Sequence, residues 1–582
     1  MLHKLRLRLA SVDASPLLAL LGVCSGLLAG GVIILLRLSI ETVQSSFLPG
    51  GVTENYEGLS IPARFLLASG GALLIGLLFQ WANKESRQVG VVHVMERLTN
   101  HQAYLSIKNA TLQFVGAALS IISGHSVGRE GPGVHLGAAS GSLLGQWLKL
   151  PNNSIRVLVA CGVSAAIAAS FNTPIAGVIF AMEVVMMEYS IAGFAPVILA
   201  AVSATALTRW IYGSETAFII PNLHIGTLAE LPFVIVLGIC MGVLAFLFIY
   251  LLQLFTRWSQ SFAVWQRMTL AGVVTGLAAI WVPEIMGIGY DTVNNALLGQ
   301  IGLVTLLSIL LMKMLATTFG LGFGLPGGLI GPTLVIGAVG GGVIGLLVES
   351  IFPEQSASIG FYAMMGMGAM MAATLQAPLA ALMAMLELTA NPNIIFPGML
   401  AVIIASMTSS HVFGKESVFI TLLKARGLDY QNDPVTQSLR RVGVASVMDQ
   451  SFIFMPQNIS LQETQSRLKE NPTWIFVDKD KEEEKERGKT LLPAADLVRY
   501  INSRQQEEDV PIDNDEQVDL LGIPAQRYDV MPVHMQATLQ EALDVLKSAN
   551  ASMLYVEQHM QGNKKKVYGV LTREAITTHY RY

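Results

Sequence analysis

A polar, glycine-dense island at residues 124–137, GHSVGREGPGVHLG, lies between an apolar run at 114–122 and another that starts at Leu143. Arg129 and Glu130 therefore fall at membrane depth, where a charged side chain costs roughly 2.5–3.5 kcal/mol. Five glycines and Pro132 in fourteen residues exclude an ordinary spanning helix. Irregular backbone persists at that depth only inside protein or against a water-filled cavity, so the island predicts a loop feeding a helix N-terminus. Free N–H groups and the positive dipole end of such a helix favour an anion. Tight helix packing accounts for the glycines but not for an adjacent Arg-Glu pair.

The apolar residues, 52% of a 582-residue chain, are unevenly placed. Segments near 17–40, 63–82, 110–122, 133–149, 155–170, 174–188, 192–212, 231–255, 268–283, 301–319, 329–350, 358–373, 378–388 and 395–413 are hydrophobic, whereas 415–582 is richly charged. Several segments fall short of the about 20 residues that a helix needs to cross a bilayer, so broken and half-spanning helices are expected. The expected organisation is a membrane domain at 1–425, a linker at 426–441, and soluble units at 442–505 and 506–582. Lys4, Arg6 and Arg8 precede the first apolar run, which predicts a cytoplasmic N-terminus. Cys24, Cys161 and Cys240 lack metal-ligand spacing and read as packing residues. A net charge of −4 leaves no electrostatic footprint for nucleic acid.

The membrane part repeats itself. Gly162 through Glu183 parallels Gly366 through Glu387 at an offset of 204, with nine residues from Pro174 to Glu183 and nine from Pro378 to Glu387. Gly131-Pro132 and Gly137-Ala138 parallel Gly331-Pro332 and Gly337-Ala338 at an offset of 200. Such a two-half duplication places a binding site at the repeat interface.

Gly128-Arg129-Glu130-Gly131-Pro132 resembles the GREGP signature of the CLC family of chloride channels and chloride/proton exchangers. The resemblance implies an all-α polytopic membrane domain of two inverted halves with broken helices, assembled as a homodimer in a plasma or bacterial inner membrane. It makes Glu130 the gate that competes with chloride for an anion site built from the island's Gly128, Arg129 and Gly131. The loop Gly320 to Pro332 is similar to the family's second anion loop, and the resemblance assigns the anion to the backbone N–H groups of Leu329 and Ile330.

Four positions depart from the family. Ile330 stands where a phenylalanine is usual, a change that keeps the backbone donors and loses the aromatic lining. Val89, in QVGVVH, stands where a serine hydroxyl touches chloride, and Phe419, in ESVFITLL, stands where a tyrosine does. Each charge-assisted hydrogen bond that is not replaced weakens anion binding by about 1.5–3 kcal/mol. Val184 stands where exchangers carry an internal proton-accepting glutamate. Together these favour passive, voltage- or pH-gated, channel-like chloride conduction. A chloride/proton antiporter with a non-standard proton path through Glu183, Glu188 or water is the alternative. Glu183 reads as structural because Glu387 repeats it. His93, His125 and His135 titrate in the right range for a relay, but each reads first as a packed residue.

The tail reads as two β-α-β-β-α copies, 444–497 and 525–576, with helices at 461–469 and 539–548, strands at 474–477 and 552–556, and a solvated loop at 479–489. It resembles a CBS domain pair on the cytoplasmic face, an α+β module that implies an adenine nucleotide as cofactor. The closing signature keeps Thr572 but loses its Asp in the second copy, and keeps Asp496 but loses its Thr in the first, so a structural or dimer-forming tail is an equal reading. Two rival classes are a membrane-embedded enzyme built on His125, Arg129, Glu130 and His135, and a CBS-regulated cation carrier. No HExxH or GxSxG pattern supports the former, and the carboxylate-poor loops disfavour the latter.

Overall fold

The computed structural model describes residues 9, 15–189, 191–214, 218, 230–352, 357–428, 434–478, 489–506, 517–559 and 565–579. The basic residues Lys4, Arg6 and Arg8, and the charged loop at 479–488, lie outside them. Ser15–Leu148 with Ile155–Gln431 forms one unit, and Asn432–Tyr582 with Lys149–Ser154 the other.

The first unit is helical throughout. Its first half holds α1 (Ser15–Phe47), α2 (Ile61–Trp81), α3 (Val91–Asn100), α4 (Ile107–Ile122), α5 (Glu130–Trp147), α6 (Asn152–Phe171), α7 (Pro174–Phe180) and α8 (Ile191–Tyr212). The second holds α9 (Leu231–Ser259), α10 (Val264–Trp281), α11 (Tyr290–Leu297), α12 (Leu303–Gly322), α13 (Ile330–Ile351), α14 (Ile359–Leu375), α15 (Pro378–Thr389), α16 (Ile395–Met407) and α17 (Val418–Ala425). Helix α7 runs on as a π-helical turn, Ala181–Met186. Eight helices among the described residues are long and apolar enough to span a membrane, while α4, α14 and α15 are shorter. The expected mixture of full and partial spans is present.

The duplication is visible as packing. Helices α5 and α6 cross where Gly137 meets Gly162, and α13 and α14 cross where Gly337 meets Gly366; a methyl group at any of the four would strike the facing carbonyl. Glu183 and Glu387 exchange roles across the halves. Glu183 accepts from the N–H groups of Leu379 and Ala380 at 3.2 and 2.7 Å, and Glu387 from those of Ile175 and Ala176 at 2.9 and 2.7 Å. Pro378 and Pro174 open α15 and α7, so each carboxylate satisfies the first N–H groups those helix ends leave free.

The second unit begins with α18 (Pro434–Arg440), so part of the expected linker is helical. Its strands β1 (Phe452–Pro456), β2 (Asn458–Ser460), β3 (Trp474–Asp478), β4 (Lys489–Pro493), β5 (Gln517–Asp519), β6 (Tyr528–His534), β7 (Met553–His559) and β8 (Lys565–Thr572) form a six-stranded sheet ordered β1-β3-β4-β6-β7-β8 and a β2-β5 pair. Each copy has one parallel and one antiparallel pairing, β1/β3/β4 and β6/β7/β8, joined between β4 and β6. The helices α19 (Leu461–Leu468) and α21 (Leu539–Ser548) fall where expected, with α20 (Ala494–Gln506) between them in the chain. One expectation is corrected: Val444–Ser446 is a 3-10 turn rather than an opening strand, and with Met448 it packs into the second copy's core beside Leu539 and Leu554. Reciprocally, Val518, Leu520 and Ile523 complete the first copy's core.

The reciprocal caps carry a prediction. Glu183→Gln or Glu387→Gln replaces charge-assisted bonds with neutral ones, which costs about 1.5–3 kcal/mol. Each should lower the thermal unfolding midpoint of the detergent-solubilised protein; native midpoints in both variants would remove the caps from the stabilising set.

Candidate functional site

The island and its counterpart meet at the centre of the membrane unit. Gly128 N–H donates to the Gly328 carbonyl, and Gly328 N–H to that of Gly128, both at 2.7 Å. This antiparallel exchange satisfies loop backbone that would otherwise be orphaned. Helix α5 starts at Glu130 with Arg129 as its N-cap residue, and α13 at Ile330 with Leu329, so two helix N-termini converge there. The predicted loop-to-helix shape is present in both halves.

Glu130 is fully buried between them. Its Oε2 accepts from the Gly331 N–H at 3.2 Å, and its Oε1 accepts from the Tyr290 hydroxyl. The donor that α13 aims at the carboxylate is Gly331, the residue after the Leu329 and Ile330 N–H groups expected to hold the anion. Tyr290 is absent from the sequence reading. It opens α11 and packs against Phe218 and Phe171, with ring centroids 5.0 and 6.2 Å away. The turn delivering it is held by buried Lys313, which donates to the carbonyls of Ile285 and Gly287 at 3.0 Å each, and by Gly289 at φ 87°. Arg129 turns away from Glu130: it donates to the Ser170 carbonyl at 3.3 Å and lies 5.4 Å from the Tyr290 ring centre.

Two cavities flank this centre. The wider, about 350 Å³, is lined by Arg129 and Tyr290 with Arg37, Glu41, Glu54 and Asp291. The narrower, about 150 Å³, brings together Val89, Gly131, Leu329, Ile330 and Phe419, and adds Arg87, Arg267 and Arg426. Five sequence-chosen residues thus share one cavity. Gly90, at φ 87°, lets the chain turn into α3 directly after Val89. Arg426, assigned by sequence to the linker, belongs to this lining. The three arginines escaped notice because they belong to no motif: Arg87 ends a single 3-10 turn, Arg267 sits in the first turn of α10, and Arg426 follows α17.

Val184 does not join the cavity; it is buried in the π-helical turn. The histidines separate as well. His135 contacts Gln113 at 3.2 Å and accepts from the Gly90 N–H at 3.3 Å, on the side of the narrower cavity, so His125, His135 and Glu130 form no common cluster.

Residues 71–410 match the family model described as voltage gated chloride channel. A putative chloride channel protein ClcB-like from Ralstonia nicotianae is 34% identical over 376 residues, 63% of this chain and 86% of that one. The H(+)/Cl(-) exchange transporter ClcA of Vibrio cholerae serotype O1 is 30% identical over 54% of this chain and 68% of its own. Among solved structures, a slow cyanobacterial Cl-/H+ antiporter aligns with a TM-score of 0.63 at 24% identity, covering 72% of this chain and 99% of that one. A eukaryotic CLC transporter covers 99% of this chain and 98% of its own at a TM-score of 0.58 and 18% identity. With the family model spanning more than half its length, the chain belongs to the CLC family of chloride channels and chloride/proton exchangers, and is an integral, multi-pass membrane transport protein rather than an enzyme.

Proposed function

We propose that the chain carries chloride, and other small anions of similar size, through the narrower cavity and past Glu130, whose carboxylate is the gate. One observation carries this reading. A buried carboxylate accepts from the Gly331 N–H in the first turn of α13, the place where a helix end and free amides would otherwise hold an anion. Protonation removes the charge that competes for those donors, so flux rises as pH falls.

Passive, channel-like conduction is supported by Val184, which cannot carry a proton, and by the missing hydroxyls at Val89 and Phe419. Chloride/proton exchange is the second reading, favoured by relatives named as H(+)/Cl(-) exchange transporters and by a chain of titratable side chains described below. The family implies a homodimer in lipid with one pathway per subunit and with the N-terminus and tail cytoplasmic. The tail, read as a CBS pair, fits a structural role better than a nucleotide sensor. Thr572 Oγ1 caps α22 (Arg573–Thr578) by accepting from the Ala575 N–H at 3.1 Å, and Asp496 accepts from Arg499 at 3.3 Å and from the Gln526 N–H at 3.1 Å.

Three measurements on protein in liposomes test the pathway. Glu130→Gln should give high chloride efflux that no longer rises with acid; an intact pH response would remove Glu130 as gate. Tyr290→Phe deletes a hydrogen bond to the carboxylate worth about 1.5–3 kcal/mol, so efflux at neutral pH should rise by about tenfold or more. Unchanged or slower efflux would mean that Tyr290 does not hold the closed state. Val89→Ser or Phe419→Tyr should tighten chloride binding in calorimetry by about tenfold, and no change in either would move the anion site out of this cavity.

A further inference from the structure

A series of closely spaced titratable side chains leads from the protein surface towards the narrower cavity. His101, at the end of α3 with its side chain 50% exposed, has Nε2 4.0 Å from Glu96 Oε1. Glu96 Oε2 lies 3.5 Å from His93 Nδ1. The His93 and His135 rings meet edge to face with centroids 5.4 Å apart. His135 Nδ1 touches Gln113 and the Gly90 N–H, and Gly90, Gln113 and Gly131 line the narrower cavity beside Glu130.

Packing alone does not account for this set. His93, Glu96, Gln113 and His135 are all more than nine-tenths buried. Yet among the described residues neither ring nitrogen of His93, nor His135 Nε2, nor Glu96 Oε2, nor Gln113 Nε2 has a hydrogen-bond partner. Buried polar atoms left without protein partners are expensive, and their usual remedy is water. Their location adds a second point. Helix α3 packs against the π-helical turn that holds Val184, and against α5 and α17. The polar chain therefore runs beside the position where an internal glutamate is missing.

We infer that His101, Glu96, His93 and His135 form a proton wire that delivers protons to Glu130 through the narrower cavity, in place of the glutamate absent at Val184. The inference rests on Glu130 being the gate. Along the wire each imidazole accepts a proton on one nitrogen and releases one from the other, and Glu96 passes it between its two oxygens, so no charge or atom is left behind. Gln113 supports both forms of His135: its carbonyl accepts from a protonated Nδ1, and its amide, turned over, donates to a neutral one. Among the described residues, Arg97 on its own helix and Arg426 beyond α17 also face His93 and repel a resident proton, whereas Glu96, 3.5 Å away, stabilises it in passage. Val184 on the π-helical turn contributes no charge, and Glu183 is committed to the N-terminus of α15.

The test uses the full chain in planar bilayers, with chloride current recorded while acid is added to one face at a time. The native protein should respond from both faces, through the wire from one and through the wider cavity from the other. His93→Gln and His135→Gln should lose the response from one face and keep it from the other, the kept response showing that the variants are folded. Native responses from both faces in these variants overturn the wire and leave the gate standing. Glu130→Gln should be insensitive from both faces; a surviving response there overturns the gate, and with it the ground of the inference. Should either buried substitution prevent folding, the exposed His101→Gln carries the test: a weakened response from one face supports the wire, and native responses from both reject it.

Discussion

Two hydrogen bonds of 2.7 Å, exchanged between Gly128 and Gly328, hold the membrane unit's centre together. Loop backbone at membrane depth has no water to fall back on, so each loop is tolerable only because the other supplies its partners. The exchange needs glycine on both sides. A methyl group at Gly128 would strike the Glu130 carboxylate, and one at Gly328 would come within 2.5 Å of the Gly131 nitrogen. With the loops locked, α5 and α13 must begin face to face, and the space between their first turns is where Glu130 lies.

The two halves are alike in scaffold and unlike in chemistry. Gly137 and Gly337, Gly162 and Gly366, and Glu183 and Glu387 occupy equivalent places and make equivalent contacts. The offset of 200 that relates Gly128 to Gly328 sets Glu130 against Ile330, so a carboxylate in one half has an aliphatic side chain as its repeat counterpart in the other. A symmetric centre would bring two buried like charges together without compensation, whereas the asymmetric one pairs a single carboxylate with donors from the opposite half. Repeated residues are therefore structural, and the candidate function concentrates where the repeat fails. Val184 aligns with Leu388 at the offset of 204, which explains how an apolar residue there fits the packing of both halves.

Most of the scaffold was legible because it is written in long apolar runs: every one of the fourteen segments read from sequence is a helix in the structure. Three helices went unread, α3, α11 and α17. At 8–10 residues they are too short for a hydrophobic run to stand out, and α3 and α11 mix polar with apolar side chains. They matter because they bring Tyr290 to Glu130, Phe419 to the narrower cavity and His93 to His135. Glu130 and the cavity positions Val89, Leu329, Ile330 and Phe419 were legible through motif resemblance. The partner that Tyr290 provides is 160 positions away from Glu130 and belongs to no motif, so only tertiary structure reveals it. The exchange of opening segments between the two copies of the tail was hidden for a related reason: Val444 and Val518 are apolar wherever they pack, and periodicity does not say which core receives them.

The lining of the narrower cavity bears on how an anion would be held there. Hydroxyl donors bind a dehydrated ion through short, directional contacts that discriminate by size. Val89 and Phe419 present none, and the nearby charge comes from Arg87, Arg267 and Arg426. Two N–H donors of the Arg87 guanidinium, Nε and Nη2, are already committed to the carbonyls of Ala82 and Gln80 at 2.9 and 2.8 Å, so this cation acts mainly through its field. A field of fixed positive charge concentrates anions without stripping their water, and it weakens as salt screens it. On the proposed pathway such a cavity would favour rapid, weakly selective occupancy, with a directional backbone donor supplied beside it by the first turn of α13, at Gly331.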